Sequence, residues 1–348
     1  MSITKIEATS LLDFSAAVPV FDVRSPSEFA HAHIPGAISL PLFSDQERKK
    51  IGTAYKQESR TKAIRFGLEY FGPKLLPLVD QVLAHMAQQK LEHKKVIVHC
   101  WRGGMRSAAV AWLLDLYGFE VFLIKGGYKA VRKVLLAQFE EKYALIVIGG
   151  YTGSNKTGLI QTLRQKGKAA IDLEGLAKHK GSAFGNLDQL PQPSQEFFEN
   201  QLALELYKLR HEPQIFVEGE SQRIGHVNIP QTLYQQMRSA TLVFVDIPFE
   251  QRLNHIMAEY GKASKDKLLS ATVRLQKRLG GLETKNAVAA LLEDDIQTCF
   301  AILLRYYDKW YLHSTYEKEK APRQILRFEC NDCDEEKNYS ALMNYVRN

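Results

Sequence analysis

The 348-residue chain is poor in cysteine, with four in all, too few for a disulfide framework, so a reducing compartment is expected. No apolar run approaches the ~18 residues of a membrane helix. The strongest, Ala144 to Gly150 and Ala109 to Gly118, are both short. The opening segment, Met1 to Phe14, has no basic stretch leading into an apolar core, so no secretory leader is expected and a cytoplasmic location is. Internal repeats and low-complexity tracts are also missing. With 45% hydrophobic and 24% charged residues, the composition excludes disorder, collagen and coiled coil. What is present is length for two domains. There is also a moderate basic excess, 46 Lys and Arg against 39 Asp and Glu, or +7, which suits a polyanionic partner without requiring one.

The hydrophobic pattern predicts an α/β protein with two parallel sheets. In the first part, strands are expected around Val18 to Arg24, Lys94 to Cys100 and Glu120 to Gly127. A helix from Arg106, ending at Gly118, lies between the last two, which implies a parallel pair with a crossover. A long helix is expected from Tyr70 to Gln89. A second α/β unit opens with the strand Tyr143 to Gly150 and continues with strands at Gln214 to Glu220 and Thr241 to Pro248. Residues from about Glu250 to Glu319 read as mostly helical. The boundary falls in the charged stretch after Lys129 to Leu136, giving domains 1–138 and 139–348.

The most informative stretch is His99-Cys100-Trp101-Arg102-Gly103-Gly104-Met105-Arg106-Ser107, between a buried strand and a helix. Backbone N–H groups of such a loop and the first helical turn converge on one point, with the positive end of the helix dipole beside the sulfur. Cys100 is therefore expected to be a nucleophile of lowered pKa. Gly103 and Gly104 let the backbone wrap, Met105 completes the loop, and Arg102 and Arg106 are expected to donate to a bound oxyanion. A plain buried thiol at a strand end is the alternative.

A second site candidate is Gly149 to Gly158, again between strand and helix. Against the P-loop pattern GxxxxGK[ST], Gly150, Lys156 and Thr157 match, while Asn155 stands in place of the second glycine. Asn tolerates a left-handed backbone, so the loop is expected to form. The N–H groups of Thr152, Gly153, Ser154 and Asn155 would cradle phosphates, Lys156 would neutralise them, and Thr157 is placed for Mg²⁺. Because of Asn155, diphosphate binding is the safer expectation than ATP hydrolysis. Glu218, Glu220 and Asp246, each at the end of a strand, are candidate acidic partners, and the sequence does not choose among them.

The cysteine loop resembles two families. Cys-based phosphatases carry HCx5R[ST], matched by His99, Cys100, Arg106 and Ser107. The rhodanese superfamily is favoured by Asp22-Val23-Arg24 with Glu28-Phe29, by His33-Ile34-Pro35-Gly36-Ala37, and by Lys125-Gly126-Gly127-Tyr128. A rhodanese unit followed by a P-loop unit resembles the tRNA 2-selenouridine synthase family over nearly the whole chain. Further family-like stretches are Gly52 to Lys56, Asp172 to Ala177, His179 to Gly185, Gln192 to Gln195, Glu218 to Ser221, Lys277 to Gly281 and Tyr306 to Asp308. Departures are Asn155, Lys180 in place of Arg, and Gly219 in place of an acid.

The resemblance implies an enzyme that replaces sulfur by selenium at C2 of a wobble 2-thiouridine. The reaction runs through an S-geranyl intermediate, with geranyl diphosphate and selenophosphate as co-substrates and a tRNA bearing a 5-substituted 2-thiouridine as partner. It also implies contact with the enzyme that makes selenophosphate. The loop is one residue longer than in ordinary rhodaneses, which suits a tetrahedral oxyanion such as selenophosphate, and Cys100 would carry the selenium. The P-loop would hold the geranyl donor's diphosphate. No metal site is expected beyond Mg²⁺ at the P-loop.

Other readings are a sulfurtransferase or phosphatase using the Cys100 loop alone, and a tRNA- or nucleotide-binding module with a non-hydrolytic P-loop. Cys330 and Cys333 form a CxxC with no second ligand pair, expected to be a surface loop. Cys299 reads as core, and Tyr306, Tyr307, Trp310 and Tyr311 read more readily as packing than as base-stacking.

Overall fold

The computed structural model describes residues 3–13, 18–180, 191–261, 263–312 and 323–347. The chain forms two compact units, Met1–Gln138 with Glu199–Tyr207, and Phe139–Phe198 with Lys208–Asn348. Glu199–Tyr207 thus groups with the first unit, although sequence order puts it in the second.

The first unit is built on β1 (Ile3–Ile6), β2 (Val20–Asp22), β3 (Ile38–Ser39), β4 (Lys95–His99) and β5 (Glu120–Ile124), in the order β1-β5-β4-β2-β3. Every neighbouring pair is parallel, with Val96 opposite Val121 and Phe21 opposite Val98. Val96, Ile97 and Val98 are all fully buried. Burial on both faces of a parallel sheet is why the strand reads as an unbroken apolar run. The helix Met105–Leu116 returns the chain from β4 to β5, packing Val110 and Leu114 on the core with Phe119 and Val121.

The expected helix at Tyr70 to Gln89 is two. Helix Arg60–Phe71 ends, a 3₁₀ turn spans Gly72–Lys74, and helix Leu75–Gln88 begins anew. Pro73 has no N–H to continue the first helix, whereas Pro77 lies in the first turn of the next, where it is tolerated.

The second unit carries β6 (Leu145–Gly150), β7 (Ala170–Ile171), β8 (Ile215–Glu218), the short antiparallel pair β9 (Arg223–Ile224) and β10 (Val227–Asn228), β11 (Thr241–Asp246) and β12 (Ile325–Glu329). Its main sheet is parallel in the order β12-β11-β6-β8-β7. Helices Phe249–Tyr260, Lys265–Arg274, Gly281–Leu292 and Ile296–Leu312 make a helical part with its own core of Leu253, Leu268, Ala287, Cys299, Phe300 and Leu303. Cys299 is core, as the sequence suggests. The helical expectation up to Glu319 extends beyond Leu312 into 313–322, outside the described residues, as do the side chains of Trp310 and Tyr311. Both units place a loop at the carboxyl end of a central strand, Cys100 after β4 and Tyr151 after β6, where open parallel sheets put their ligands.

Candidate active site

The Cys100 loop closes as the sequence suggests. Cys100 is buried, its Sγ accepts the Gly104 N–H at 3.3 Å, and it lies 3.2 Å from Ser107 Oγ at the start of the following helix. The loop is docked from behind by the turn after β5, where Tyr128 N–H donates to Cys100 O and Lys129 N–H to Trp101 O. Gly103 has φ +65°, and a Cβ there would meet Ile124 O at 2.8 Å, so only glycine fits. Gly104, with φ −98° and nothing near its missing Cβ, carries no such demand.

Three sequence motifs meet beneath the loop. Arg24 is buried, clasps Asp22 through Nε and Nη2, donates to Ala32 O at 2.7 Å, and lies 4.0 Å from the Tyr128 ring and 5.8 Å from that of Trp101. His99 is also buried, 3.8 Å from Asp22, and burial lowers its pKa, so it is neutral. These hallmark residues are a brace that orients Cys100 and Trp101 rather than a second reacting group.

The two loop arginines divide. Arg102 is exposed at the rim, while Arg106 turns its fork to Glu28, Nη1 donating to Oε2 at 2.8 Å. Burial alone would raise the Glu28 pKa, but the bond and charge of Arg106, with the Ser25 N–H and Arg48, hold it below the usual value. Arg106 therefore acts first on Glu28, and the expectation of two free guanidinium donors reduces to one, Arg102. The loop opens on a cleft of about 1040 Å³.

In the second unit Asn155 takes the left-handed conformation, φ +50° and ψ +41°, at the mouth of helix Lys156–Gln165. Its Oδ1 accepts the Gly158 N–H at 3.2 Å, and its Nδ2 donates to Cys333 O and to Glu335. Asn thus performs the turn a glycine would and adds a cap. Lys156 Nζ lies on the carbonyls of Gly150 and Tyr151, at 3.3 and 3.4 Å. Ser154 is buried and donates to Tyr151 O. Thr152 O and Gly153 O are held from outside, by Arg252 Nη1 at 3.1 Å and Cys333 Sγ at 3.4 Å. Arg252 is itself buried and paired with Asp308 through both oxygens.

The acids sort differently from the expectation. Asp246 pairs with Arg327 on β12. Glu218 and Glu220 instead share the P-loop side with Glu174, a residue the sequence marks only as part of a family-like stretch. Thr157 Oγ1 donates to Glu174 at 2.8 Å, and the Glu174 N–H donates to Glu218 Oε2 at 2.9 Å. Glu218 Oε1 is buried with no hydrogen-bond partner. Burial, then the Glu220 charge, pushes the Glu174 carboxyl up to about 8, and burial likewise raises Glu218 and Glu220. The signal for Glu174 lay in the Asp172 N-cap, which starts a short helix and aims the next residues at the P-loop.

The CxxC is not a surface loop. Cys330 is buried at the end of β12, and Cys333 leans on the P-loop. Burial pushes both thiols up, to about 12 and about 11, so they stay protonated and serve packing. Lys180 is held by Glu259 beside the Tyr260 ring. The family-like residues beyond it, 181–185, lie outside the described residues. Among the described residues no three His, Cys, Asp or Glu form a metal-holding group, and no helix is long and apolar enough to cross a membrane.

A thiol loop on a rhodanese-like sheet and a phosphate-type loop on a second parallel sheet define a two-domain α/β enzyme. The profile of the rhodanese-like domain matches residues 5–134, and that of the tRNA 2-selenouridine synthase AAA domain matches 143–335. The tRNA 2-selenouridine synthase of Nitrosomonas eutropha is 35% identical, covering 91% of this chain and 92% of its own. That of Bdellovibrio bacteriovorus is 33% identical over 90% and 93%, and that of Nitrosomonas europaea 39% over 71% and 64%. The chain belongs to the tRNA 2-selenouridine synthase family.

Proposed function

We propose that the chain converts a wobble 2-thiouridine of tRNA into 2-selenouridine in two steps divided between its two loops. The observation that carries this is a buried, N–H-bonded Cys100 thiol and a Lys156 phosphate-type loop in one chain of this family. In the first step the thiocarbonyl sulfur attacks C1 of geranyl diphosphate, diphosphate leaves with the bonding pair, and the base loses its N3 proton. Lys156 and the loop N–H groups neutralise the departing diphosphate. Thr157 and, once its proton is displaced, Glu174 offer hard oxygen donors, and Mg²⁺ held by them and the phosphates would add charge stabilisation. In the second step a selenium nucleophile forms a bond to C2 and geranyl thiolate leaves. The Cys100 thiolate attacks the phosphorus of selenophosphate, the P–Se bond breaks and hydrogenselenide leaves as that nucleophile, water then frees phosphate from the sulfur, and Arg102 meets the donor's oxyanion. A selenophosphate-producing enzyme supplies that donor, and the reaction takes place in the cytoplasm.

Nucleoside mass analysis after incubation with thiolated tRNA and both donors tests this division. Lys156→Ala should abolish the geranylated product. Cys100→Ala should let that product accumulate while removing the selenated one. The reverse pattern would overturn the assignment.

A further inference from the structure

Cys100 opens on a cleft whose chemistry exceeds what a small oxyanion needs. Its wall is apolar, with Phe43, Ile64, Leu68, Phe71 and Met105 along it. Phe43 and Phe71 are buried beneath it, while Ile64, Leu68 and Met105, the last two 65% and 57% exposed, present apolar side chains to solvent. Lys49, Lys56, Arg48 and Arg102 also line it, and no carboxylate does. Exposed apolar patches of this kind mark ligand or partner sites, and a cleft of about 1040 Å³ is at the large end for a small-molecule site.

Each simple ligand accounts for half of this. A tetrahedral anion such as selenophosphate needs the loop N–H groups and a cation, and has no use for the apolar wall. An RNA backbone would use the cations but would leave Leu68 and Met105 wet. An anionic chain carrying a long hydrocarbon uses both.

We propose that this cleft is the seat of the hydrocarbon chain on the S-alkylated base, with the RNA phosphates on the Lys49 and Lys56 rim. The inference rests on the reaction proposed above and adds a second prenyl site, distinct from the P-loop that takes the donor's diphosphate. Seating the chain along Leu68 and Met105 brings the base to Cys100 only when it is alkylated. The cleft would thereby select the intermediate over the 2-thiouridine that precedes it.

The test uses the full chain and two synthetic anticodon stem-loops differing only in an S-geranyl or S-methyl group on 2-thiouridine. Fluorescence anisotropy should show the geranylated RNA bound at least tenfold tighter. Leu68→Asn should remove most of that preference, and Ile64→Asn should reduce it. Affinity for the S-methyl RNA and the alkylation rate of Cys100 should stay at the wild-type level, which shows that the unit is folded. Lys156→Ala should keep the preference. An unchanged preference in Leu68→Asn, or no preference in the wild type, overturns the seat. The underlying reaction is read separately. If the wild-type chain with selenophosphate makes no selenated nucleoside from the geranylated RNA, the proposed function fails whatever the binding shows.

Discussion

Asn155 offers the sharpest test of how the second loop is held. Its backbone sits at φ +50°, Oδ1 caps the helix at Gly158 N–H, and Nδ2 ties the loop to Cys333 O and Glu335. Asn155→Gly keeps the left-handed turn free of strain. It loses the two donated bonds, about 1 kcal/mol together in a half-exposed setting, loses a few tenths for the cap, and gains unfolded-state entropy worth about 0.5 kcal/mol. The sum is about 2 kcal/mol. Asn155→Ala loses the same bonds and the full cap, about 1 kcal/mol. It also forces an alanine into the left-handed region, about 1–2 kcal/mol, for a total of 3–4 kcal/mol, again approximate. With a urea slope of about 2 kcal/mol/M, the alanine variant should melt roughly 0.5–1 M urea earlier than the glycine variant. Hydrogen exchange read by mass spectrometry on peptides from β6 and β11 follows the second unit by itself. Binding of inorganic diphosphate should fall in the same order, alanine below glycine below wild type. An alanine variant as stable as the glycine one would refute the claim that backbone handedness adds its own cost to the loss of side-chain bonding at this position.

Three other expectations follow from the same kind of geometry. Gly103→Ala should slow alkylation of Cys100 and destabilise the first unit by about 2 kcal/mol, since φ is +65° and the new Cβ meets Ile124 O, while Gly104→Ala should change neither; differential scanning calorimetry and thiol titration read both. Asp308→Asn should cost the second unit about 3 kcal/mol and weaken diphosphate binding, because Arg252, which holds Thr152 O, is left buried without its counter-charge; the paired change Arg252→Met with Asp308→Leu should recover stability in urea but not the binding. The Glu174 carboxyl, raised from its usual 4.5 to about 8, keeps its proton in the folded chain and loses it in the unfolded one between those values. The folded state then binds more protons, so urea midpoints of the second unit should fall as pH rises from about 5 to about 8, and Glu174→Gln should flatten that slope.

Much of this was legible in the chain. The strands after which Cys100 and Tyr151 sit are unbroken apolar runs, and their burial on both faces follows from the parallel pairing those runs imply. Asn155 was readable as a left-handed residue because few others tolerate that conformation. Less legible were groups brought together from distant positions. Arg106 looked like a free donor because Glu28, which takes its fork, is 78 residues away. Asp246 and Glu218 both end strands, and only strand order gives one to Arg327 and the other to Glu174. Cys333 looked exposed because nothing local shows that β12 is added beside β11, carrying its loop onto Gly153.

The sequence by itself determined the two parallel sheets, the loop at the end of each, and the place of Cys100 in the first loop, since these depend on local pattern and on residues adjacent in the chain. The tertiary structure decided which charges are available to a ligand, which acid faces the phosphate-type loop, and that an apolar wall stands beside Cys100. Charge pairing, carboxylate protonation and cleft shape depend on distances between segments far apart in the chain, and no periodicity encodes those distances.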